Sequence, residues 1–189
     1  MIKQMLILFS LLMLTFGCGG GGSKLDIKIA DKNTTLNITS SGSLTSTKTF
    51  SFTKDGQTTS SKAASHYFAM ANYDLDTTSG MISMGKPLTA DGQARVAIQL
   101  VGEEGTDDKV TLKTGTYTTK AEKYNKIDYL NVSVYSEGKE NKVSFNIDKA
   151  DGEVKITSVS DESVSGEINV TEADKSVKGS FTAKITKRK

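Results

Sequence analysis

Residues 164–186, VSGEINVTEADKSVKGSFTAKIT, contain the pattern that decides the fold. Apolar or small residues at Val164, Gly166, Ile168 and Val170 alternate with polar ones, and the same alternation returns over Val177–Ile185. A period of two is typical of antiparallel strands that bury one face and expose the other. Both runs are therefore predicted to be strands.

The same alternation continues toward the N-terminus. Five strands joined by short connections, as in a meander, are predicted from Ile127 onward; the first is Ile127–Tyr135, and shorter runs follow at Val143–Ile147 and Val154–Thr157. Thr34–Ser65 is rich in Ser and Thr, which suits either edge strands or a loop, and Thr119–Tyr124 is the one stretch that suits a short turn of helix. The remaining strands are predicted at Leu25–Ala30, Thr45–Thr53, Ser65–Leu75, Met81–Met84, Ala94–Val101 and Lys109–Tyr117.

Turn signals lie at the ends of these runs. An acidic residue followed by Gly between alternating segments is a strong hairpin signal, because Gly accepts the positive φ that the turn requires. Such pairs stand at Asp55-Gly56, Asp91-Gly92, Glu137-Gly138 and Asp151-Gly152.

About ten strands and no long helix predict an all-β fold in a single domain, residues 25–189. We expect an antiparallel β-sandwich of jelly-roll type, with an up-and-down β-barrel as the alternative. The choice bears on function. A barrel of about eight strands can hold a small apolar ligand inside, whereas a sandwich presents ligands to its loops or to one face.

The composition excludes several classes of function. The chain has 189 residues with 24 Lys and Arg against 22 Asp and Glu, and this balance argues against a nucleic-acid partner, which selects a clustered basic excess. A single Cys rules out a disulfide within the chain, and one Cys with one His rules out a typical structural zinc site. No cofactor is expected.

The N-terminus has the pattern of an export signal. Met5–Phe16 is an uncharged apolar run of 12 residues after Lys3, too short for a spanning helix of about 20 residues. The stretch Leu14-Thr15-Phe16-Gly17-Cys18 then resembles the signal of bacterial lipoproteins, although Thr15 and Phe16 depart from the usual residues. The resemblance implies that residues 1–17 are a signal peptide and that Cys18 is lipidated and becomes the new N-terminus.

The resemblance also implies an address. Residues 18–24 would form the lipidated Cys and a Gly/Ser tether of the flexible kind, and acyl chains such as palmitate would hold the protein on a membrane. Since Gly19 rather than Asp follows the cysteine, the family's sorting pattern implies the outer membrane if the cell is Gram-negative. The expected function is then a lipid-anchored envelope lipoprotein with a non-catalytic β domain that binds or presents a partner, either an envelope protein or a glycan. The alternative is a periplasmic carrier of a small apolar ligand.

Few residues suggest catalysis, and no enzyme is predicted. The single histidine, His66, is interpreted as a strand-end residue at the rim of a sheet, on the same face as Phe68 and Met70 and opposite Tyr67. No Gly-x-Ser-x-Gly motif is present.

Two acidic groups are weak candidates for calcium, which prefers six to eight oxygen ligands. The stronger is the loop with Glu103, Glu104, Asp107 and Asp108, and the weaker contains Asp74 and Asp76. A solvated acidic loop is the simpler interpretation of both.

Other signals concern partners. Sugar-binding faces usually present aromatic rings, and the chain has six Tyr and no Trp. Tyr129 and Tyr135 alternate in phase with Ile127, while Leu130 falls on the opposite face, so the strand is either buried on both faces or has a bulge near Asn131. Thr45–Thr53 and Val177–Ile185 are candidate sheet edges that could pair with a partner strand.

Overall fold

A computed structural model of the protein describes residues 23–186, where the chain forms eleven strands and one short helix. In chain order the elements are β1 (Lys24–Ile29), β2 (Lys32–Asn37), β3 (Ser40–Lys54), β4 (Gln57–Ala71), α1 (Met81–Met84), β5 (Ala94–Glu104), β6 (Gly115–Thr118), β7 (Lys126–Ser136), β8 (Lys139–Ser144), β9 (Asp151–Val159), β10 (Ser163–Glu172) and β11 (Lys175–Lys184).

All of these strands belong to one sheet. Ten follow the order β2-β1-β11-β10-β9-β6-β7-β5-β4-β3, and β8 pairs with β7 outside that path. The pairing is antiparallel except where Thr118 of β6 pairs with Lys126 of β7. Because β6 lies between β9 and β7, it connects the meander β9-β10-β11 to the central strands.

The two ends of this order, β2 and β3, are consecutive in the chain and are separated only by Ile38 and Thr39. Ile38 N donates to Ser23 O, just before β1, and Thr39 N donates to Ala71 O at the end of β4, both at 2.9 Å. Within the described chain no ladder pairs β2 with β3, so backbone pairing does not close the sheet. The chain itself passes from one end of the sheet to the other.

The sheet curls around one apolar core. The core takes Leu25 from β1, Leu36 from β2, Phe68 from β4 and Phe181 from β11, and the two Phe rings lie 6.1 Å apart. Side chains also connect β3 with the end of β11: Lys184 N donates to Ser41 Oγ at 3.0 Å. Strands near both ends of the order, β2 and β4, therefore contribute to the same interior.

The prediction of an antiparallel, all-β fold is confirmed. The curled and unclosed sheet lies between the two expected architectures, because it encloses a core as a sandwich or a barrel does. The Ser/Thr-rich stretch Thr34–Ser65 forms strands, including the hairpin of β3 and β4. The edge prediction is confirmed for β3, which pairs with β4 alone among the described strands, and is wrong for β11, which lies between β1 and β10.

Three of the four predicted turns are confirmed and one is wrong. Asp91-Gly92 lies in a turn just before β5, closed by a hydrogen bond of 3.1 Å from Gln93 N to Ala90 O, and Gly92 has positive φ. Asp55-Gly56 joins β3 to β4, and Glu137-Gly138 joins β7 to β8, with positive φ at all four residues. Asp151-Gly152 instead begins β9, where Gly152 pairs with Val170. The turn lies just before it, closed by a hydrogen bond of 2.9 Å from Ala150 N to Asn146 O.

Three short segments also differ from the sequence prediction. Met81–Met84 is a helix, not a strand, because Ser83 and Met84 are buried together and Ile82 is exposed, which is not a period of two. Only Gly115–Thr118 of the strand predicted over Lys109–Tyr117 is formed. Residues 119–124 form bends, not a turn of helix.

Candidate functional site

A pocket of about 270 Å³ lies on the outer face of the sheet, where β4, β5, β7 and β8 adjoin. The register places its residues in rows across the strands: Tyr67 pairs with Gln99 and Gln99 with Tyr129, whereas Arg95 pairs with Ser133 and Ser133 with Lys142. We call this cavity the Arg95 pocket, and its lining residues are Tyr67, Met81, Gly85, Arg95, Ala97, Gln99, Tyr129, Asn131, Ser133 and Lys142.

A bulge in β7 brings Tyr129 to this outer face. Ile127 and Leu130 both lie in the core although they are three residues apart, and the register with β5 shifts between Gln99 and Leu100. Of the two alternatives, a strand buried on both faces or a bulge near Asn131, the structure has a bulge, but it lies before Tyr129 and not near Asn131. The prediction that Tyr129 shares a face with Ile127 is wrong.

Apolar side chains form the floor and one wall of the pocket. Tyr67, Ala69, Met84 and Ala97 pack together on the outer face, separately from the main core. The side chains of α1 cover part of this cluster, and Met81 remains 49% exposed. Tyr67 and Ala97 of this cluster, with Met81 of α1, therefore give the pocket an apolar part beside its polar side chains.

Arg95 is the most buried charge at the site, with only 6% of its side chain exposed. Its Nη1 donates to the Tyr73 hydroxyl at 2.9 Å and to the Lys86 carbonyl at 2.6 Å, and its Nη2 lies 3.5 Å from Glu140 Oε1. These contacts fix the guanidinium on three sides. They also leave Nε without a hydrogen bond to the described residues.

Asn131 adds an unsatisfied acceptor. Its Nδ2 donates to the Tyr129 hydroxyl, whereas its Oδ1 is the one inaccessible side-chain N or O atom of the described chain without a hydrogen-bond partner. A buried polar atom in that state costs about 1–3 kcal/mol. Unsatisfied groups of this kind in a pocket are candidates for contact with a ligand or water.

The tyrosines around the pocket stay protonated at neutral pH. Burial raises the pKa of Tyr67 and of Tyr129, and in both cases the positive charge of Arg95 only partly offsets the effect. Burial likewise raises the pKa of Tyr73, which the hydrogen bond from Arg95 opposes. The phenols can therefore donate hydrogen bonds, and the two cations Arg95 and Lys142 supply the charge.

A second cavity, of about 160 Å³, lies at one end of the interior and is called the His66 cavity. His66 is not at a strand end as predicted: it lies within β4, is 4% exposed, and shares the inner face with Phe68 as expected. Its Nδ1 lies 3.1 Å from Thr45 Oγ1, and burial lowers its pKa to about 4. The other lining residues are Ser43, Leu44, Thr45, Phe68, Asp108, Lys109, Val110, Thr111, Leu112, Val159, Val164 and Ile185.

The acidic stretch that ends β5 and continues into the following loop uses its carboxylates in local contacts. Glu103 pairs with Lys113 at 2.6 Å and Asp107 with Lys62 at 3.2 Å, while Glu104 accepts the Tyr124 hydroxyl at 3.0 Å. Asp108 lines the His66 cavity. Hydrogen bonds from Lys109 N and Lys62 lower the pKa of Asp107.

The weaker acidic cluster behaves in the same way. Asp76 pairs with Lys86 at 2.6 Å and accepts Thr78 N and Oγ1, and these bonds lower its pKa. Within residues 23–186, no group of three or more His, Cys, Asp or Glu side chains is arranged to hold a metal ion. The structure therefore does not assemble Glu103, Glu104, Asp107 and Asp108 into a calcium site.

Other sequence candidates lie elsewhere. Tyr135 is farther along β7 and does not line the Arg95 pocket, whereas Tyr129 does. Cys18 lies outside the described residues. Sequence reasoning missed Arg95, although a signal was present: it is the one charge in the otherwise apolar run Ala94–Ile98, and it has the parity of Gln99.

Comparisons with protein-family models, with curated proteins and with solved structures find no match to this chain. Over residues 23–186, no helix is long and apolar enough to cross a membrane.

Proposed function

We propose that this chain is a lipid-anchored protein of the bacterial envelope whose non-catalytic β domain binds a small polar ligand in the Arg95 pocket. The binding part rests on one observation above all. Asn131, 5% exposed, lines a pocket of about 270 Å³ and carries a buried oxygen without a partner. The oxygen has no accessible surface in this geometry, so a ligand donor would reach it after a rotation of the side chain toward the pocket, and would then remove the cost of the unsatisfied atom.

The anchor is supported by sequence. Cys18 is the only cysteine, and it directly follows the apolar run and Gly17, as in the lipoprotein signal. Two or more acyl chains on one residue are enough for stable anchoring. In a Gram-negative cell, Gly19 would direct the protein to the outer membrane.

Binding is a better match to the pocket than catalysis. Its polar lining consists of phenols, amides, a serine and two cations, and among the described residues no His, Cys, Asp or Glu lines it. Glu140, the nearest carboxylate, is held by Arg95 and by the Leu88 amide. General acid–base or nucleophilic chemistry needs a titratable group at the substrate, so we assign the pocket a binding role.

The anchor is tested by the intact mass of the mature protein from bacterial membranes, beside a Cys18→Ser variant. We expect a wild-type mass equal to residues 18–189 plus acyl chains, and a variant that is neither processed nor membrane-bound. A soluble wild-type protein with an unmodified N-terminus elsewhere would overturn the anchor.

The pocket is tested separately, by fragment screening with ligand-observed NMR on the same protein and on Asn131→Leu. We expect small polar fragments that bind the wild type and not the variant. If every fragment that binds does so equally to both proteins, the pocket proposal fails.

A second candidate function, the carrier of a small apolar ligand, is favoured by the His66 cavity. Its apolar side chains include Phe68, Val110 and Leu112, and its volume of about 160 Å³ is close to that of engineered apolar cavities that bind benzene. We expect toluene to shift the NMR signals of the Leu112 methyls, and Val164→Phe, which fills the cavity, to abolish the shift. Unchanged Leu112 signals at saturating toluene would contradict this function.

A further inference from the structure

The charges of the Arg95 pocket favour an anionic group on the ligand. Arg95 and Lys142 line it, and Glu140, which lies against Arg95, is the one carboxylate in contact with that guanidinium in the described chain. Two cations against one anion leave a net positive site. A buried guanidinium with a free N–H is well suited to a carboxylate, because charge-assisted hydrogen bonds are stronger than neutral ones.

The neutral groups favour hydroxyls on the same ligand. Asn131 Oδ1 is an acceptor without a partner. Gln99 uses its Nε2 to reach Ser65 Oγ at 2.6 Å, and neither Gln99 Oε1 nor Ser133 Oγ has a hydrogen bond to the described residues. Several acceptors and donors within one small cavity suit a molecule with several hydroxyls, since each buried polar group requires a partner.

Size and aromatic surface narrow the class further. The pocket is slightly below the range of about 300–1,000 Å³ that is typical for drug-sized ligands, so it suits a single ring with substituents. Tyr67 of β4 and Tyr129 of β7 lie in the same row across the sheet, and Gln99 of β5 lies between them. Their rings supply an apolar surface for the carbon face of such a ring.

We propose that the Arg95 pocket binds a single carboxylated sugar ring, with the carboxylate at Arg95 and Lys142 and the hydroxyls at Asn131, Gln99 and Ser133. This inference rests on the proposed binding role of the pocket and names its ligand class. The anchor at Cys18 is independent of it.

The experiment is isothermal titration of the mature protein in detergent with three probes of similar size: glucuronate, glucose and cyclohexanecarboxylate. Glucose lacks the carboxylate, and cyclohexanecarboxylate lacks the hydroxyls. We expect glucuronate to bind at least tenfold more tightly than either. Equal binding of glucose would overturn the anionic part, and equal binding of cyclohexanecarboxylate would overturn the sugar part.

Two variants test whether glucuronate binds in the Arg95 pocket. Lys142 is exposed on β8, so Lys142→Gln removes a rim charge without touching the core, and we expect at least a fivefold loss of glucuronate affinity with little change for glucose. The matched control is Lys139→Gln, an exposed lysine of the same strand with the opposite parity, which should leave both affinities unchanged.

Asn131→Leu separates the ligand class from the pocket itself. We expect it to abolish glucuronate binding while the protein remains folded. Glucuronate that binds Asn131→Leu as well as wild type, or that binds neither protein, overturns the ligand class. Fragments that still distinguish wild type from Asn131→Leu in the screen described above would then leave the pocket proposal standing.

Discussion

Asn131 and Arg95 are polar residues whose side chains are buried on the outer face of the sheet. Burial of a polar side chain does not by itself stabilise the folded domain. Arg95 has Tyr73, Lys86 and Glu140 as partners, whereas one oxygen of Asn131 has none. A cost of this kind is expected at functional sites, where local rules of stability are broken for binding.

Replacement of Asn131 by Leu should therefore not destabilise the protein. The change keeps the branched arrangement of heavy atoms and removes the unsatisfied acceptor, which offsets the loss of the Nδ2 hydrogen bond to the Tyr129 hydroxyl, so we expect the free energy of unfolding to stay within about 1 kcal/mol of the wild-type value. Urea denaturation followed by circular dichroism measures it. A loss of 2 kcal/mol or more would show that the amide is structural and not a site for a ligand.

His66 makes stability depend on pH. Its folded pKa of about 4 is below the unfolded value of 6.5, so acid protonates the unfolded chain first. Stability from this group is complete above pH 6.5 and decreases as pH falls toward 4, by about 3 kcal/mol. Asp108 and Lys109 line the same cavity and add their own charges.

The measurement is the free energy of unfolding at pH 7 and at pH 4.5, for wild type and for His66→Gln. The variant should lose less stability in acid than the wild type, because carboxylates titrate in both proteins and His66 only in one. Parallel pH curves for the two proteins would show that the pKa of His66 is the same in the folded and unfolded states, and would contradict this prediction.

At the scale of single residues, the sequence predicted which face of a strand a side chain occupies better than it predicted what that side chain does. It placed His66 with Phe68 on one side of β4 and Tyr67 on the other, as the structure does. It did not identify the Arg95 pocket, because residues of β4, β5 and β7 that are 28–66 positions apart in sequence meet there only through the register of these strands.

At the scale of elements, the alternation of apolar and polar residues predicted the strands well where short hairpins join them. The predicted strands that became β9 and β10 lie within the observed limits, and the one that became β11 extends one residue past Lys184, because each pairs with its neighbour in sequence. Prediction failed at Met81–Met84, which pairs with no strand and covers the outer face instead. It failed again at Asp151-Gly152, where Gly serves close packing and not a turn.

Gly152 should tolerate no side chain. It has φ 140°, and a Cβ there would lie 2.1 Å from the Asn169 carbonyl oxygen of β10. We expect Gly152→Ala to lower the free energy of unfolding by about 3 kcal/mol, since crowding against backbone cannot relax by rotating a side chain. The thermal midpoint and urea curves measure the loss.

Gly138→Ala is the matched control. Gly138 also has positive φ, at 75°, but a Cβ there would meet nothing within 4 Å. Only backbone strain remains, about 1 kcal/mol. If both substitutions cost the same, the contact with Asn169 contributes nothing and the strand register near Gly152 is wrong.

At the scale of the whole molecule, the first two strands lie beside the last one, because β1 pairs with both β2 and β11. β1 lies between β2 and β11, and the side chains of Leu25, Ile27 and Leu36 are buried in the common core. No local pattern announces such a pairing. The sequence predicts that β1 is a strand, but long-range register between residues about 150 positions apart is a property of the assembled core.

Deletion of residues 1–38 should therefore abolish folding, whereas deletion of residues 1–22 should not. The longer deletion removes three buried side chains, each worth about 2–5 kcal/mol, along with two ladders. That sum is comparable to the total stability of a typical domain, about 5–15 kcal/mol. Solubility and a cooperative thermal transition report the outcome, and a folded 39–189 fragment would contradict it.

The hairpin of β3 and β4 extends past the rest of the sheet, because β5 pairs with β4 only as far as Ala63. The ring centroids of Phe50 and Tyr124 are 5.6 Å apart, and Lys123 Nζ lies 3.5 Å from the centroid of the Phe52 ring. The loop before β7 therefore packs against the extended end of this hairpin. Ser23 lies at the other end of β4, connected through Ile38 and Thr39 to Ala71.

The hairpin of β3 and β4 sets the length of the molecule along the direction of these strands. Fifteen residues separate Ala71 from Gly56 along β4 and its turn, a rise of roughly 50 Å at about 3.3 Å per residue. In the proposed lipid-anchored form, the acyl chains are attached before Ser23, so the Asp55-Gly56 tip is at the end of this hairpin that is farthest from the point of attachment. A partner that approaches the hairpin at the end opposite this attachment would therefore meet the exposed Asp55-Gly56 turn first.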